Sequence, residues 1–242
     1  NQTIKIELGP DFFSETHDPS FFSSIQYLKK ERWGKWEINA TYIRRFESSG
    51  IQGELSYYPQ IGEKLHGQIN YSYAQNELFP EHRIGGELYA LLNKSIEASL
   101  GGRYLTFSQN NLSSLTSSIS WKNQSHGVSF RPFLNKANNA STFDFATNIA
   151  LSRYFETFDD FIRLVVGTGY SPDVRRWQGA SVFSNEGLHS LKVQRLEMKG
   201  QTSIADRYIV GLKAAFIRQE QTLEKEDYLW IYSVIASFSY KF

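Results

Sequence analysis

The chain has 242 residues, with 26 Lys and Arg against 25 Asp and Glu, a net charge of +1. That balance gives no basic footprint for nucleic acid. The complete lack of Cys excludes a disulfide framework and any thiolate metal site. Mean hydropathy is −0.42, and no stretch approaches the roughly 18 apolar residues a transmembrane helix needs; both facts also suit a transmembrane β-barrel, in which half the residues face a polar lumen.

A period of two, the side-chain period of a strand, recurs from end to end. It predicts fourteen strands: 3–13, 20–30, 35–46, 50–59, 64–74, 81–92, 94–107, 112–123, 126–136, 142–154, 160–171, 186–198, 205–220 and 227–242. Each is about the length a tilted strand needs to cross a bilayer. In 35–46, Trp36, Ile38, Ala40 and Tyr42 oppose Glu37, Asn39, Thr41 and Arg45. In 64–74, Leu65, Ile69, Tyr71 and Tyr73 oppose His66, Gln68, Asn70 and Ser72. In 81–92, Ile84, Gly86, Leu88 and Ala90 oppose Arg83, Gly85, Glu87 and Tyr89, and in 94–107 Ile96, Ala98, Leu100 and Tyr104 oppose Glu97, Ser99, Gly101 and Arg103. No segment shows a helical period and none reads as a linker, so residues 1–242 are expected to form one domain.

The last strand carries the clearest pattern. Trp230, Tyr232, Val234, Ala236, Phe238, Tyr240 and Phe242 alternate with small or polar residues, and the aromatics stand at the two ends of the apolar face. Aromatic girdles at both interfaces mark a strand that spans an outer membrane. The expected fold is therefore all-β, a single antiparallel transmembrane barrel of about fourteen strands. Twelve would keep the same parity if 3–13 and 20–30 lay outside the wall. Counting back from Phe242, short connections at 31–34, 60–63, around 93, 124–125, 155–159 and 199–204 fall on the periplasmic side, and the longest, 172–185, falls outside. One outer turn, 47–49, is very short for its side. The chain starts Asn1-Gln-Thr-Ile, which reads as a mature chain after removal of a signal peptide.

Several segments resemble the YaiO-type outer-membrane β-barrel family: Tyr42-Ile-Arg-Arg-Phe46, Gln52-Gly-Glu-Leu-Ser-Tyr-Tyr-Pro59, Leu78-Phe-Pro80, Gly85-Gly-Glu-Leu-Tyr89, Glu97-Ala-Ser-Leu-Gly-Gly-Arg-Tyr-Leu-Thr-Phe107, Arg153-Tyr-Phe155 and Gly169-Tyr-Ser-Pro-Asp173. They occur in the family's order over roughly residues 40–175. The resemblance implies an outer-membrane barrel, in longer proteins sometimes attached to tetratricopeptide repeats or glycosyltransferase-like modules. It implies no settled activity. The closing strand is similar to those of bacterial outer-membrane barrels, so Trp230, Tyr232, Phe238, Tyr240 and Phe242 are expected to act as the signal for the barrel-assembly machinery.

Strand parity puts Arg45, Glu54, Glu87, Glu97, Arg103, Arg131, Arg163 and Lys213 on the lumen side. An unpaired charge inside a narrow barrel is costly, so opposite charges should pair. Adjacent strands would bring Glu87 beside Glu97 or Arg103, depending on shear. A salt-bridged plug is the first reading of this set. A polar path or pocket for a small solute or glycan is the second. A catalytic carboxylate pair, which would need a separation of about 5 to 9 Å, is the third. Asp173 suits an Asx turn at the start of the long outer loop, while Arg175, Arg176 and Trp177 suit contact with lipopolysaccharide phosphates or a partner. The five His, His17, His66, His82, His126 and His189, lack ligand spacing, so no metal and no cofactor are expected.

The functional expectation is a non-enzymatic scaffold or accessory subunit of an envelope complex, in contact with outer-membrane lipid, lipopolysaccharide, the assembly machinery and envelope proteins, and not with nucleic acid. The alternative is a narrow channel or port for surface polysaccharide or small solutes. A lipid or glycan hydrolase ranks third, with His17 and His82 placed near the outer rim.

Overall fold

The computed structural model describes residues 2–14, 18–45, 47–76, 78–108, 111–138, 140–170, 192–220 and 228–242. Fourteen antiparallel strands close into a barrel. They are β1 (Gln2–Phe13), β2 (Ser20–Glu31), β3 (Gly34–Arg45), β4 (Ser48–Pro59), β5 (Leu65–Ala74), β6 (His82–Leu91), β7 (Ile96–Thr106), β8 (Asn111–Lys122), β9 (His126–Ala137), β10 (Asp144–Tyr154), β11 (Phe161–Tyr170), β12 (Lys192–Ile204), β13 (Tyr208–Glu220) and β14 (Tyr228–Lys241). β1 pairs with β2 on one side and with β14 on the other, from Thr3 opposite Lys241 to Phe13 opposite Ile231. The first two strands therefore belong to the wall, which rules out the twelve-strand alternative. Closure leaves no strand edge unpaired, the condition for a sheet to sit in hydrocarbon.

Alternation decides the two faces. Ile25, Ile38, Ile69, Leu100, Ile149 and Leu212 are large, apolar and exposed, and they form a belt around the outside. Aromatics gather at both rims of this belt. Tyr208 packs on Phe238 and Tyr240, and Tyr240 on Phe242, at one rim. Phe216 meets Tyr232 edge-on at the other. Trp230, Tyr232, Phe238, Tyr240 and Phe242 all lie on this outward face.

The rim that holds both chain ends, the terminal end, has short turns. Here the Phe242 N–H donates to the Gln2 carbonyl at 3.0 Å. The opposite rim, the loop end, carries the 75–81 connection. Strand and turn positions follow the sequence pattern closely except at β12, which runs to Ile204 where a turn was expected over 199–204. Its outward residues there are Gly200, Thr202 and Ile204, so the apolar alternation lapses at two successive positions while the ladder continues from Gly200 opposite Leu212 to Ile204 opposite Tyr208. The actual turn places Ala205 and Asp206 at φ 51° and 58°. Those left-handed conformations favour Gly or Asn, so the turn carries no sequence signal.

The 75–81 connection folds into the barrel. Phe79 is 2% exposed and packs with Leu78, Phe22, Ile43, Ala74 and Ile235, from β2, β3, β5 and β14; Pro80 is fully buried beside it. Asn76 anchors the connection. Its Oδ1 accepts from the Leu78 N–H at 3.0 Å and its amide donates to the Ile51 carbonyl at 3.0 Å. Asn76 fits only because residue 50 is glycine: a Cβ on Gly50 would lie 2.3 Å from Asn76 Oδ1.

Candidate functional site in the barrel lumen

All eight charges singled out from the sequence share the inward face: Arg45, Glu54, Glu87, Glu97, Arg103, Arg131, Arg163 and Lys213. They do not form one network. Toward the loop end they are buried as pairs. Arg45 Nη2 lies 3.9 Å from Asp11 Oδ2, which also accepts from Ser20 Oγ at 3.2 Å. Arg83 Nη2 lies 2.7 Å from Glu54 Oε1. Ser72 stands between them in the ladder, opposite Glu54 on one side and Arg83 on the other, and its short side chain leaves the arginine room to cross.

Glu87 finds neither Glu97 nor Arg103. The residue opposite it on β7 is Gly101, and a Cβ there would lie 2.7 Å from Glu87 Cβ. The Glu87 carboxylate accepts from Ser99 Oγ and pairs with Arg131 of β9 at 2.8 Å. Arg131 reaches it over Ser118 and Ser99, which are hydrogen-bonded to each other. Glu97 instead faces His66 at 3.7 Å, and His66 stacks on Tyr89 with ring centres 4.8 Å apart. Arg103 lies along Gly85, its Cγ 3.0 Å from where a Cβ would stand.

Toward the terminal end the inward charges become half-exposed. Side-chain exposure is 2–4% for Arg83, Arg45 and Asp11, but 23% for Lys5 and Glu7, 30% for Glu97 and 34% for His66. The lumen is thus close-packed at the loop end and open to solvent at the terminal end. Arg163, Lys199 and Lys213 line this wider part in one row across β11, β12 and β13. Arg163 donates from Nε to Ser152 Oγ at 2.9 Å and from Nη2 to the Tyr154 hydroxyl at 3.4 Å.

The 155–160 turn braces the rim of that opening. Asp159 pairs with Lys241 Nζ at 2.7 Å, and Lys122 Nζ sits 3.5 Å from the centre of the Phe158 ring. Asp160 accepts from the Thr157 hydroxyl, the Ser203 N–H and Thr202 Oγ1. The Thr157 hydroxyl, followed by the Ser203 amide, holds its carboxyl below the usual carboxylate range. On the outer wall beside this turn, Phe155, Ile162, Val210 and Leu212 border a notch of about 780 Å³ that opens over Gly200.

The inward face also carries Arg83, which the alternation of 81–92 places beside Glu87, and Asp11, Lys5, Glu7 and Lys199, which are outside the set of lumen charges expected from the sequence. Arg83 shares the inward face with Glu87 and was readable. Lys199 was hidden because it fell in an expected turn. Among the histidines, His82 Nδ1 lies 2.8 Å from the Tyr71 hydroxyl on the outer face, and His126 contacts Arg153 at the terminal rim. Among the described residues, no group of three or more His, Asp or Glu is placed to hold a metal ion. Asp173, Arg175, Arg176, Trp177, His17 and His189 lie outside the described residues.

Solved structures with the same barrel are outer-membrane proteins. A bacterial polysaccharide outer-membrane secretin matches with a TM-score of 0.60 at 10% identity, covering 100% of this chain and 98% of that one. The CymD monoaromatic hydrocarbon channel matches at 0.64 and 10% identity, covering 100% and 88%. Omp33 of Acinetobacter baumannii matches at 0.57 and 10% identity, covering 99% and 97%. At such identities the likeness concerns the fold alone. No curated protein matches the sequence. The family model of the YaiO membrane beta barrel domain matches residues 1–174, and with the closed fourteen-strand wall and its outward apolar belt this makes the chain an outer-membrane β-barrel of the YaiO family.

Proposed function

We propose that this barrel is non-enzymatic and non-conducting, a scaffold or accessory subunit of an envelope complex. Its terminal end, with Phe242, would face the periplasm, and its outward aromatics would meet lipid, lipopolysaccharide and, during insertion, the assembly machinery. The observation that carries this reading is the inward fold of Leu78-Phe79-Pro80. It packs against Phe22, Ile43, Ala74 and Ile235, and the inward Gln52, Ser72, Arg83, Asn135 and Ser233 are at most 2% exposed. Such burial supports a lumen without a continuous water path at this end.

Planar-bilayer recording tests the non-conducting part. The purified wild type is expected to give no conductance steps, while a variant with 76–81 replaced by a short Gly-Ser linker gives them. Wild-type steps would overturn it. Extraction in mild detergent tests the subunit role, for which a partner should co-purify in fixed ratio; a lone particle would count against it.

A narrow port for surface polysaccharide or small solutes is the second reading. The half-exposed charges of the terminal half favour it. It requires the 75–81 connection to leave the lumen, so it too is decided by wild-type conductance.

A further inference from the structure

The notch over Gly200 is a recess in the outward face, where the apolar belt meets the terminal rim. Ile162, Gly200 and Leu212 stand opposite one another across β11, β12 and β13, and Thr202 stands opposite Val210 one step nearer the rim. Phe155, Ile162 and Leu212 are large, apolar and exposed on its two sides. Its floor is bare: a Cβ on Gly200 would meet nothing within 4 Å. Val210 pairs with Phe238, and Tyr208 packs on Tyr240, so the aromatic girdle of this rim runs beside it.

The mouth of the notch is acidic. Glu156 and Asp160 line it, and no Lys, Arg or His does. Asp160 accepts from the Thr157 hydroxyl, Thr202 Oγ1 and the Ser203 N–H, donors that favour the carboxylate. Glu156 is exposed and has no ion pair among the described residues. Asp159, beside them, is already paired with Lys241. The first outward cation in the Gly200 row is Arg153, opposite Ile162 on β10 and in contact with His126. In the 205–207 turn Asp206 and Arg207 are adjacent and opposite in sign.

We propose that the notch binds one phospholipid with an ethanolamine headgroup, with an acyl chain in the recess and the ammonium at Glu156 and Asp160. Inside a bilayer an apolar chain gains nothing from leaving water, so what favours this place over the rest of the belt is packing. A chain on the convex wall is touched from one side. A chain over Gly200 is also touched by Phe155 and Ile162 on one flank and by Val210 and Leu212 on the other, and many small dispersion gains add up. The headgroup follows from the charges. The two carboxylates have no cation in the notch; an ammonium supplies one, and the lipid's own phosphate lies on the side of Arg153. An anionic headgroup, a lipopolysaccharide phosphate included, would be repelled by the same carboxylates. The site goes beyond the scaffold reading and stands whether or not the barrel conducts.

Native mass spectrometry of the purified barrel in neutral detergent tests the proposal, with palmitoyl-oleoyl phosphatidylethanolamine or the phosphatidylglycerol of the same chains added. One bound ethanolamine lipid is expected, retained about threefold or more over the glycerol lipid, the effect of one exposed charge contact. Gly200→Leu fills the floor and should weaken retention of both lipids about tenfold, the loss of roughly ten carbon contacts. Glu156→Gln should abolish the preference between headgroups. Gly53→Leu, which alters another bare outward glycine away from the notch, should behave as the wild type. Heat-modifiable gel mobility shows that each variant is folded. The site is overturned if the wild type retains no lipid or holds the two lipids equally, if Gly200→Leu retains lipid at the wild-type level, or if Glu156→Gln keeps the preference. A dimer in the same spectrum that Gly200→Leu dissociates also overturns it, because a second copy would then fill the notch.

Discussion

Glu87 is held by an arginine three strands away, and this long reach depends on small neighbours. Ser99 and Ser118 lie beneath the Arg131 side chain, and Gly101 leaves the space beside Glu87 empty. The same device recurs where Arg83 crosses Ser72 to Glu54. Each pair occupies volume that paired hydrophobes could fill, and removing one partner is worse than removing both, because it leaves a desolvated charge alone. Arg131 keeps 26% of its side chain exposed, which discounts the effect. Glu87→Ala is therefore expected to lower unfolding free energy by about 2 kcal/mol. The double variant Glu87→Leu with Arg131→Leu should recover most of the loss, measured as the urea midpoint in detergent at unchanged slope. A double variant as unstable as the two single losses added together would mean that the pair contributes nothing as a pair.

At the scale of elements, the strands were readable wherever one face is apolar and the other polar. β3, β5, β6, β7 and β14 all fall within two residues of their expected limits. β12 extends past its expected limit because two successive outward positions, Gly200 and Thr202, interrupt the apolar alternation before Ile204, and because its turn puts Ala205, a residue without turn preference, in a left-handed conformation beside Asp206. That extension concealed Lys199. Parity also tells which face each charge occupies, but it is silent about partners, since pairing depends on register and on which neighbours are short. The inward fold of 75–81 was unreadable for a similar reason: Leu78-Phe79-Pro80 looks like any loop until Gly50 admits Asn76 beside it. Gly50→Val should dislodge Asn76 and loosen the connection. Conductance steps are expected in that variant and not in Gly53→Ala, where a Cβ meets nothing within 4 Å. Silence from both would show that Asn76 does not hold the plug.

The whole molecule combines a uniform outer belt with an interior that changes character along its axis. The belt needs only apolar bulk, which every strand supplies. The interior is subject to a different rule. Where side chains and the 75–81 connection fill it, Arg45 with Asp11, Arg83 with Glu54 and Glu87 with Arg131 are held as pairs, because desolvation penalises a charge that lacks a partner. Where it widens, water screens the charges, so Arg163 and Lys199 can stand opposite each other on the inward face. The lack of any Cys makes this gradient directly measurable, since each introduced thiol is the sole reactive one. Ser72 is 0% and Ser233 2% exposed at the loop end, whereas Ser152 and Ser237 are half-exposed in the wider part. With a small charged thiol reagent on the folded barrel, Ser152→Cys and Ser237→Cys should label at least about tenfold faster than Ser72→Cys and Ser233→Cys. The two slow sites can react only through local opening or full unfolding, so denaturant should bring all four rates together. If Ser72→Cys labels as fast as Ser237→Cys in the folded state, water reaches the loop-end layer, and both the closed lumen and the need for buried pairing there are lost.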